Sequence, residues 1–126
     1  MQTYPEIKRF VQETLGCSCP EEVFKKIGFR KECDEFPGSK IIIGNRLLVY
    51  IITMDGKSGM QEVINPAVEQ GVMERDSKGF NRFRLVLATA SPDELRSSAE
   101  QVFIDSGHAN EKTHLHVVNM IDVKGF

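Results

Sequence analysis

The pattern of apolar and polar positions begins with helical spacing. In the first segment, apolar residues recur at i, i+3, i+4 and i+8: Ile7, Phe10, Val11 and Leu15. This spacing predicts an amphipathic helix over residues 3–15. A shorter helix is predicted from Cys19 to about Ile27, with Pro20 at its first position, where a missing N–H is tolerated. We therefore expect a helical pair over residues 1–28, packed on the rest of the fold.

The middle of the chain carries the strongest β-strand pattern. Two β-branched runs, 40–43 and 46–52, flank the pair Gly44-Asn45, a dipeptide typical of two-residue hairpin turns. The second run is continuously apolar, which predicts a central strand that is covered on both faces. A further short strand is predicted over 29–33, before the hairpin.

From residue 46 onward, predicted strands and helices alternate. A helical region begins at Met60, and Asn65-Pro66 within it leaves two alternatives, a kinked helix or a new helix capped by Asn65. A strand over 82–90 follows. Ser91-Pro92-Asp93-Glu94 then predicts a helix start with Ser91 as N-cap and Glu94 as its capping-box partner. The last strand is predicted from Thr113 to about Met120.

This alternation favours parallel crossovers, each right-handed. We expect a single α/β domain over residues 1–126, with a mixed, mainly parallel sheet of about 4–5 strands and helices packed on it. The apolar faces of these elements predict the following buried residues: Phe10, Leu47, Val49, Ile51, Leu85, Leu87 and Phe103.

The composition narrows the function classes. Hydrophobic residues make up 40 % of the chain and charged residues 27 %, as in globular domains. The net charge of −2 argues against a general nucleic-acid binder. No apolar run reaches the length of a membrane span, and the first residues lack the pattern of a signal peptide. We expect a cytoplasmic protein with a protein or small-molecule partner, and with no nucleic-acid or membrane partner.

The cysteines form the first candidate site. There are three, an odd number without a secretion signal, which predicts reduced thiols: Cys17, Cys19 and Cys33. Cys19 stands at a predicted helix N-cap, where backbone N–H groups and the helix dipole favour the thiolate. The carboxylates of Glu21 and Glu22 oppose it. Cys19 and Cys17 are therefore the candidate catalytic residues for thiol redox chemistry or sulfur transfer.

The segment from Gly16 to Ile27 resembles, locally, the helix start of sulfur-carrier proteins of the TusA type. In that family a cysteine directly before a proline, at a helix N-terminus, carries a persulfide. By this resemblance Cys19 and Pro20 are the matching residues. The family's second proline is absent, because Glu21-Glu22 follows Pro20. The resemblance is limited to this helix start and does not extend to membership of the family.

A metal site is an alternative use of the same cysteines. Cys17 and Cys19 form a C-x-C pair, and His114 and His116 place two imidazoles on one face of a strand. Two thiolates and two imidazoles form a ligand set that suits zinc. Zinc is therefore the candidate cofactor, although a chain of this length needs none to fold.

A glycine-containing loop is the second candidate site. Gly56, Lys57, Ser58 and Gly59 follow the predicted central strand and open a helix. Backbone N–H groups at such a position can hold an anion, and Lys57 adds positive charge. A Walker A loop would need an earlier glycine where Ile51 stands, so we expect no nucleoside triphosphate site. Two alternatives stay open for this loop, a weaker anion site and a flexible strand-to-helix turn.

Two classes of function stay open on the sequence. The leading hypothesis is a small α/β protein with a C-x-C-P site for thiol redox chemistry, sulfur transfer or soft-metal binding. The alternative is a non-enzymatic binding or interaction module in which the cysteines are structural. Exposure of the Cys19 sulfur at a helix N-terminus favours the first class, and its burial among apolar side chains favours the second.

Overall fold

The chain folds around a five-stranded mixed sheet. The computed structural model describes residues 9–14, 27–30, 38–44, 46–54 and 59–123. The strands lie in the sheet in chain order: β1 Ile27–Arg30, β2 Ser39–Ile43, β3 Leu47–Thr53, β4 Arg82–Thr89 and β5 Thr113–Asn119. Two long helices connect the last three strands: α1 Met60–Lys78 and α2 Pro92–Asp105. A π-helical turn, Phe10–Thr14, and a 3-10 turn, Met120–Val123, complete the described elements.

The sheet is half antiparallel and half parallel. Strand β2 pairs antiparallel with β1 and β3, whereas β4 pairs parallel with β3 and β5. The two parallel crossovers are confirmed, but the sheet is less parallel than expected. The reason is that β1 pairs antiparallel with β2, so two of the four strand pairs are antiparallel. Strand β1 begins at Ile27, two residues before the predicted strand.

The predicted hairpin is confirmed, with a longer connection. Ile43 pairs with Leu47, so residues 44–46 join the strands where two residues were expected. Gly44 adopts the positive φ of 58° that such turns require. The backbone N–H of Arg46 donates to the Ile43 carbonyl at 3.0 Å and closes the turn.

Both helices pack on one face of the sheet. Alternate strand residues form that face: Leu48, Tyr50, Ile52, Phe83, Leu85, Leu87 and Val117. On the opposite face, Phe10, Val11 and Val123 pack with strand residues including Val49 and Val86. Strand β3 is therefore central and covered on both sides, as predicted. Every residue of the predicted core is buried, with at most 7 % of its surface exposed.

Both helices begin at the predicted residues, Met60 and Pro92. Helix α1 runs without interruption through Asn65-Pro66, which settles the open alternative in favour of one helix. Helix α2 begins at Pro92 with Ser91 as N-cap, but the Ser91 hydroxyl makes no capping hydrogen bond. The Ser91 carbonyl instead accepts from the N–H groups of Glu94 and Leu95. The predicted capping box is therefore wrong.

The expected N-terminal helical pair is not found in the described residues. Within its first helix the structure describes 9–14, where Phe10–Thr14 forms a π-helical turn. The second helix falls on 19–26, outside the described residues, and Ile27 belongs to β1. None of the described helices combines the length and the apolar character that a membrane crossing requires.

Candidate functional site

Most of the residues singled out in the sequence lie outside the described part of the chain. These are Cys17, Cys19, Cys33, Gly56, Lys57 and Ser58. Gly59 is described, and it precedes α1 in a left-handed conformation with φ 74°. The thiol and glycine-loop hypotheses therefore stay predictions.

The two histidines of the metal hypothesis lie on one face of β5, as predicted. The Nε2 atom of His114 lies 2.8 Å from the Glu111 carbonyl oxygen. The Nε2 atom of His116 lies 3.0 Å from Nη1 of Arg84. Burial, reinforced by the charge of Arg84 and by His114, lowers the pKa of His116 to about 4. His116 is therefore neutral at pH 7 and accepts the hydrogen bond from Arg84.

Both Nε2 atoms are thus engaged within the protein. Among the described residues, no group of three or more His, Cys, Asp or Glu side chains is arranged to hold a metal ion. A zinc site that uses His114 and His116 would need ligands from the undescribed segments.

The described structure contains a pocket that the sequence did not indicate. It lies between the end of α1 and the starts of β4 and β5, and its volume is about 380 Å³. We call it the Arg75 pocket, after its most buried cation. Seven residues line it: Arg75, Asp76, Phe80, Asn81, Arg82, Glu111 and Lys112. Ligand sites of parallel α/β sheets usually lie at the carboxyl ends of the strands. This pocket lies at the other end of the sheet, beside the amino ends of β4 and β5.

Arg75 is the buried and oriented member of this group. Only 8 % of its surface is exposed. Its Nη1 donates to Thr113 Oγ1 at 2.6 Å, and its Nε donates to Asp76 Oδ1 at 3.1 Å. Nη2 also lies 3.1 Å from Asp76 Oδ1. Because each Nη atom carries two N–H groups, one on each is left after these contacts within the described residues.

The other charged residues lie at the rim of the pocket. Arg82 and Lys112 are exposed cations, and Asp76 and Glu111 are exposed carboxylates. The N–H of Phe83 donates to the Lys112 carbonyl at 2.8 Å, which holds the start of β5 beside that of β4. The rim cations therefore stand on ordered backbone.

A buried ionic cluster fixes the turn of α1 that carries Arg75. Glu74 Oε2 accepts hydrogen bonds from Lys40 at 2.9 Å and from Lys78 at 3.1 Å. Glu74 Oε1 accepts from the Tyr50 hydroxyl at 2.5 Å. Lys40 and Tyr50 belong to β2 and β3, so these bonds anchor the last turns of α1 to the sheet and place Arg75.

The same bonds control the ionisation of Glu74. Burial alone would raise the pKa of Glu74, but hydrogen bonds from Tyr50, Lys40 and Lys78 outweigh it. The net result is a pKa below the ordinary value of 4.5. Glu74 is therefore ionised at neutral pH, although it is almost fully buried.

Sequence reasoning missed the Arg75 pocket because its lining is scattered along the chain. Arg75 and Asp76 come from the last turn of α1, where a basic residue is common for its interaction with the helix dipole. Arg82 and Lys112 come from two different strand starts. No short motif contains both Arg82 and Lys112, and only the register of β4 with β5 brings these two residues together.

No family model matches the chain, and neither does any curated protein or solved structure.

Proposed function

We propose that the chain is a non-enzymatic binding module whose small-molecule ligand occupies the Arg75 pocket. The observation that carries this proposal is the buried guanidinium of Arg75, held by Asp76 and Thr113 at the pocket. The pocket volume of about 380 Å³ lies within the range of small-molecule sites, roughly 300–1,000 Å³.

Burial of an arginine is costly unless its donors are paired. Asp76 accepts from Nε and Nη2 along one edge of the guanidinium, and Thr113 accepts from Nη1; these contacts leave one N–H group on each Nη atom. A ligand in the pocket would pair these groups while the protein holds the side chain in place. Such preorganisation reduces the entropy that binding costs.

A ligand panel with a pocket-blocking variant tests this proposal. Thermal unfolding is followed with phosphate, citrate, glucose, adenosine and glycine, each at millimolar concentration. We expect at least one class to raise Tm, on the order of 5 °C at ten times Kd for a domain of this size. Asn81→Trp, at an exposed lining residue, should abolish that shift. A panel without any shift, or a shift that survives in Asn81→Trp, overturns the proposal.

A second proposal retains the thiol site at Cys17 and Cys19. Its support is the C-x-C-P pattern at a predicted helix start. The site would perform thiol redox chemistry, sulfur transfer or soft-metal binding. Thiol titration and metal analysis of anaerobically purified protein test it, because a bound soft metal protects both thiols until a chelator is added. Thiols that react only after denaturation, with no metal present, would contradict it.

A further inference from the structure

The charges of the Arg75 pocket identify the chemistry of its ligand. We infer that the pocket binds the phosphate group of a small organic phosphate monoester. The inference rests on the proposed function, since it needs a ligand in this pocket. It goes further by naming which group of the ligand meets which residue.

Arg75 supplies the anchor for the phosphate. Its remaining N–H groups lie on Nη1 and Nη2, the two nitrogens at the tip of the guanidinium. A pair of donors on one rigid plane matches two oxygens of an oxyanion, and such charge-assisted pairs are stronger than neutral hydrogen bonds. Asp76 and Thr113 fix the plane before the ligand arrives.

Arg82 and Lys112 supply the further positive charge. Phe83 pairs with Thr113 in the parallel register of β4 and β5, so the residues directly before them stand side by side at the strand starts. Both are exposed and both line the pocket. A phosphate monoester presents three terminal oxygens and a carboxylate only two. Three cations around one pocket therefore favour phosphate over carboxylate.

The two carboxylates limit how much negative charge the pocket accepts. Asp76 is turned towards Arg75 and offsets part of its charge. Glu111 stands exposed at the rim. Cations exceed carboxylates by one in the lining, which falls far short of the positive charge that a polyphosphate or a nucleic acid would require.

Phe80 provides the place for the organic part of the ligand. It is the one apolar side chain of the lining, and 8 % of its surface is exposed. The pocket is larger than a phosphate group alone needs. An ester whose organic group contacts the Phe80 ring would fill the remaining space, and the apolar contact would add to its affinity.

Isothermal titration calorimetry with three probes tests the inference: phenyl phosphate, inorganic phosphate and benzoate. We expect phenyl phosphate to bind most tightly, about tenfold more tightly than benzoate, because it adds a terminal oxygen and charge. Inorganic phosphate should bind more weakly than phenyl phosphate, since it lacks the contact with Phe80. Added salt should weaken phenyl phosphate binding because the rim cations are exposed.

Charge-removing variants assign the binding to the named residues. Arg82→Gln and Lys112→Gln should each weaken phenyl phosphate binding about three- to tenfold, and their exposed positions leave the fold intact. Arg75→Lys keeps the charge but loses the forked donors, so a loss above about tenfold is expected. Arg96→Gln is the matched control: it removes one exposed positive charge away from the pocket, where Arg96 contacts Asp93 and the Val117 carbonyl. Should Arg75→Lys fail to fold, the two rim variants carry the test.

The outcomes separate the inference from the proposed function. Benzoate binding as tight as phenyl phosphate, or rim variants that bind like Arg96→Gln, overturns the inference. Glucose or adenosine could bind in a manner that Asn81→Trp abolishes, while phenyl phosphate fails to bind. The binding module would then stand and the phosphate assignment would fall. Absence of binding by every probe and every panel compound overturns both.

Discussion

The ring of Phe83 on β4 occupies the space into which a side chain at Gly71 of α1 would project. A Cβ atom added at Gly71 would overlap the tip of that ring. The ring in turn meets Tyr50 edge to face, with centroids 4.8 Å apart. The Tyr50 hydroxyl then reaches Glu74, one turn further along α1. The close approach of helix and sheet at Gly71 and the ionic cluster at Glu74 therefore belong to one packed unit.

Gly71→Ala should destabilise the protein, although alanine is the better helix former by about 1 kcal/mol. The added methyl group must displace the buried Phe83 ring, and overpacking of this kind costs about 1–3 kcal/mol. Urea denaturation gives the free energy of unfolding. Phe83→Leu in the same chain should relieve the overlap, so the two changes together should cost less than their sum. An equal or more stable Gly71→Ala protein would contradict this packing.

Glu74→Gln should lower the free energy of unfolding at pH 7 by about 2–3 kcal/mol, because it removes the buried ion pair with Lys40 and weakens the hydrogen bonds that Glu74 accepts. Tyr50→Phe should cost less, about 1–2 kcal/mol, since it removes the hydrogen bond to Glu74 and leaves the Glu74–Lys40 ion pair in place. Urea denaturation of both variants measures the difference. Glu100→Gln, an exposed change on α2, is the control.

The same carboxylate predicts a pH dependence. The folded chain holds the pKa of Glu74 below 4.5, so its contribution to stability is present above pH 4.5. That contribution is lost as the pH falls through the lowered pKa. Stability in acid should therefore fall less steeply in Glu74→Gln than in the unmodified chain. Parallel curves for the two proteins below pH 4.5 would contradict this assignment.

His116 should titrate with a midpoint near pH 4 in NMR spectra of the folded chain. The unfolded chain takes up this proton near pH 6.5. Folding stability is therefore lost as the pH falls from 6.5 towards 4, because only the unfolded state gains the proton in that interval. His116→Gln should flatten the stability profile in this window, and His108→Gln serves as the control. A His116 midpoint above 6 would contradict the burial and charge argument.

Cys19 should react faster with iodoacetamide than Cys33 at neutral pH. The predicted N-cap position favours its thiolate, and the carboxylates of Glu21 and Glu22 make the activation partial. Mass spectrometry of partially alkylated protein measures both rates in one sample. Glu21→Gln together with Glu22→Gln should increase the Cys19 rate further. Equal rates at Cys19 and Cys33 would contradict the N-cap hypothesis.

The sequence determined the parts of the fold that depend on local periodicity. The apolar run 46–52 predicted a strand covered on both faces, and β3 is that strand. Alternation after residue 46 predicted the parallel crossovers, and Gly44 predicted the hairpin with its positive φ. These features follow from spacing and backbone conformation, which the chain carries within a few residues.

Three local features could not be predicted from local sequence because tertiary contacts determine them: the course of α1 at Pro66, the cap of α2 and the start of β1. Helix α1 continues through Pro66, since packing of its apolar face on the sheet outweighs the lost hydrogen bond. The Ser91 hydroxyl makes no cap bond even though the residue stands at the predicted position. Strand β1 begins earlier than predicted because its register with β2 pairs Ile27 with Ile43.

The candidate site depended on tertiary structure almost entirely. Arg75 and Lys112 are far apart in the chain, and neither belongs to a short motif. The parallel register of β4 with β5 brings the two strand starts together, and the Glu74 cluster sets the end of α1 above them. Local sequence determines period and turn chemistry, whereas a pocket lined by three elements requires long-range pairing that no single stretch of the chain encodes.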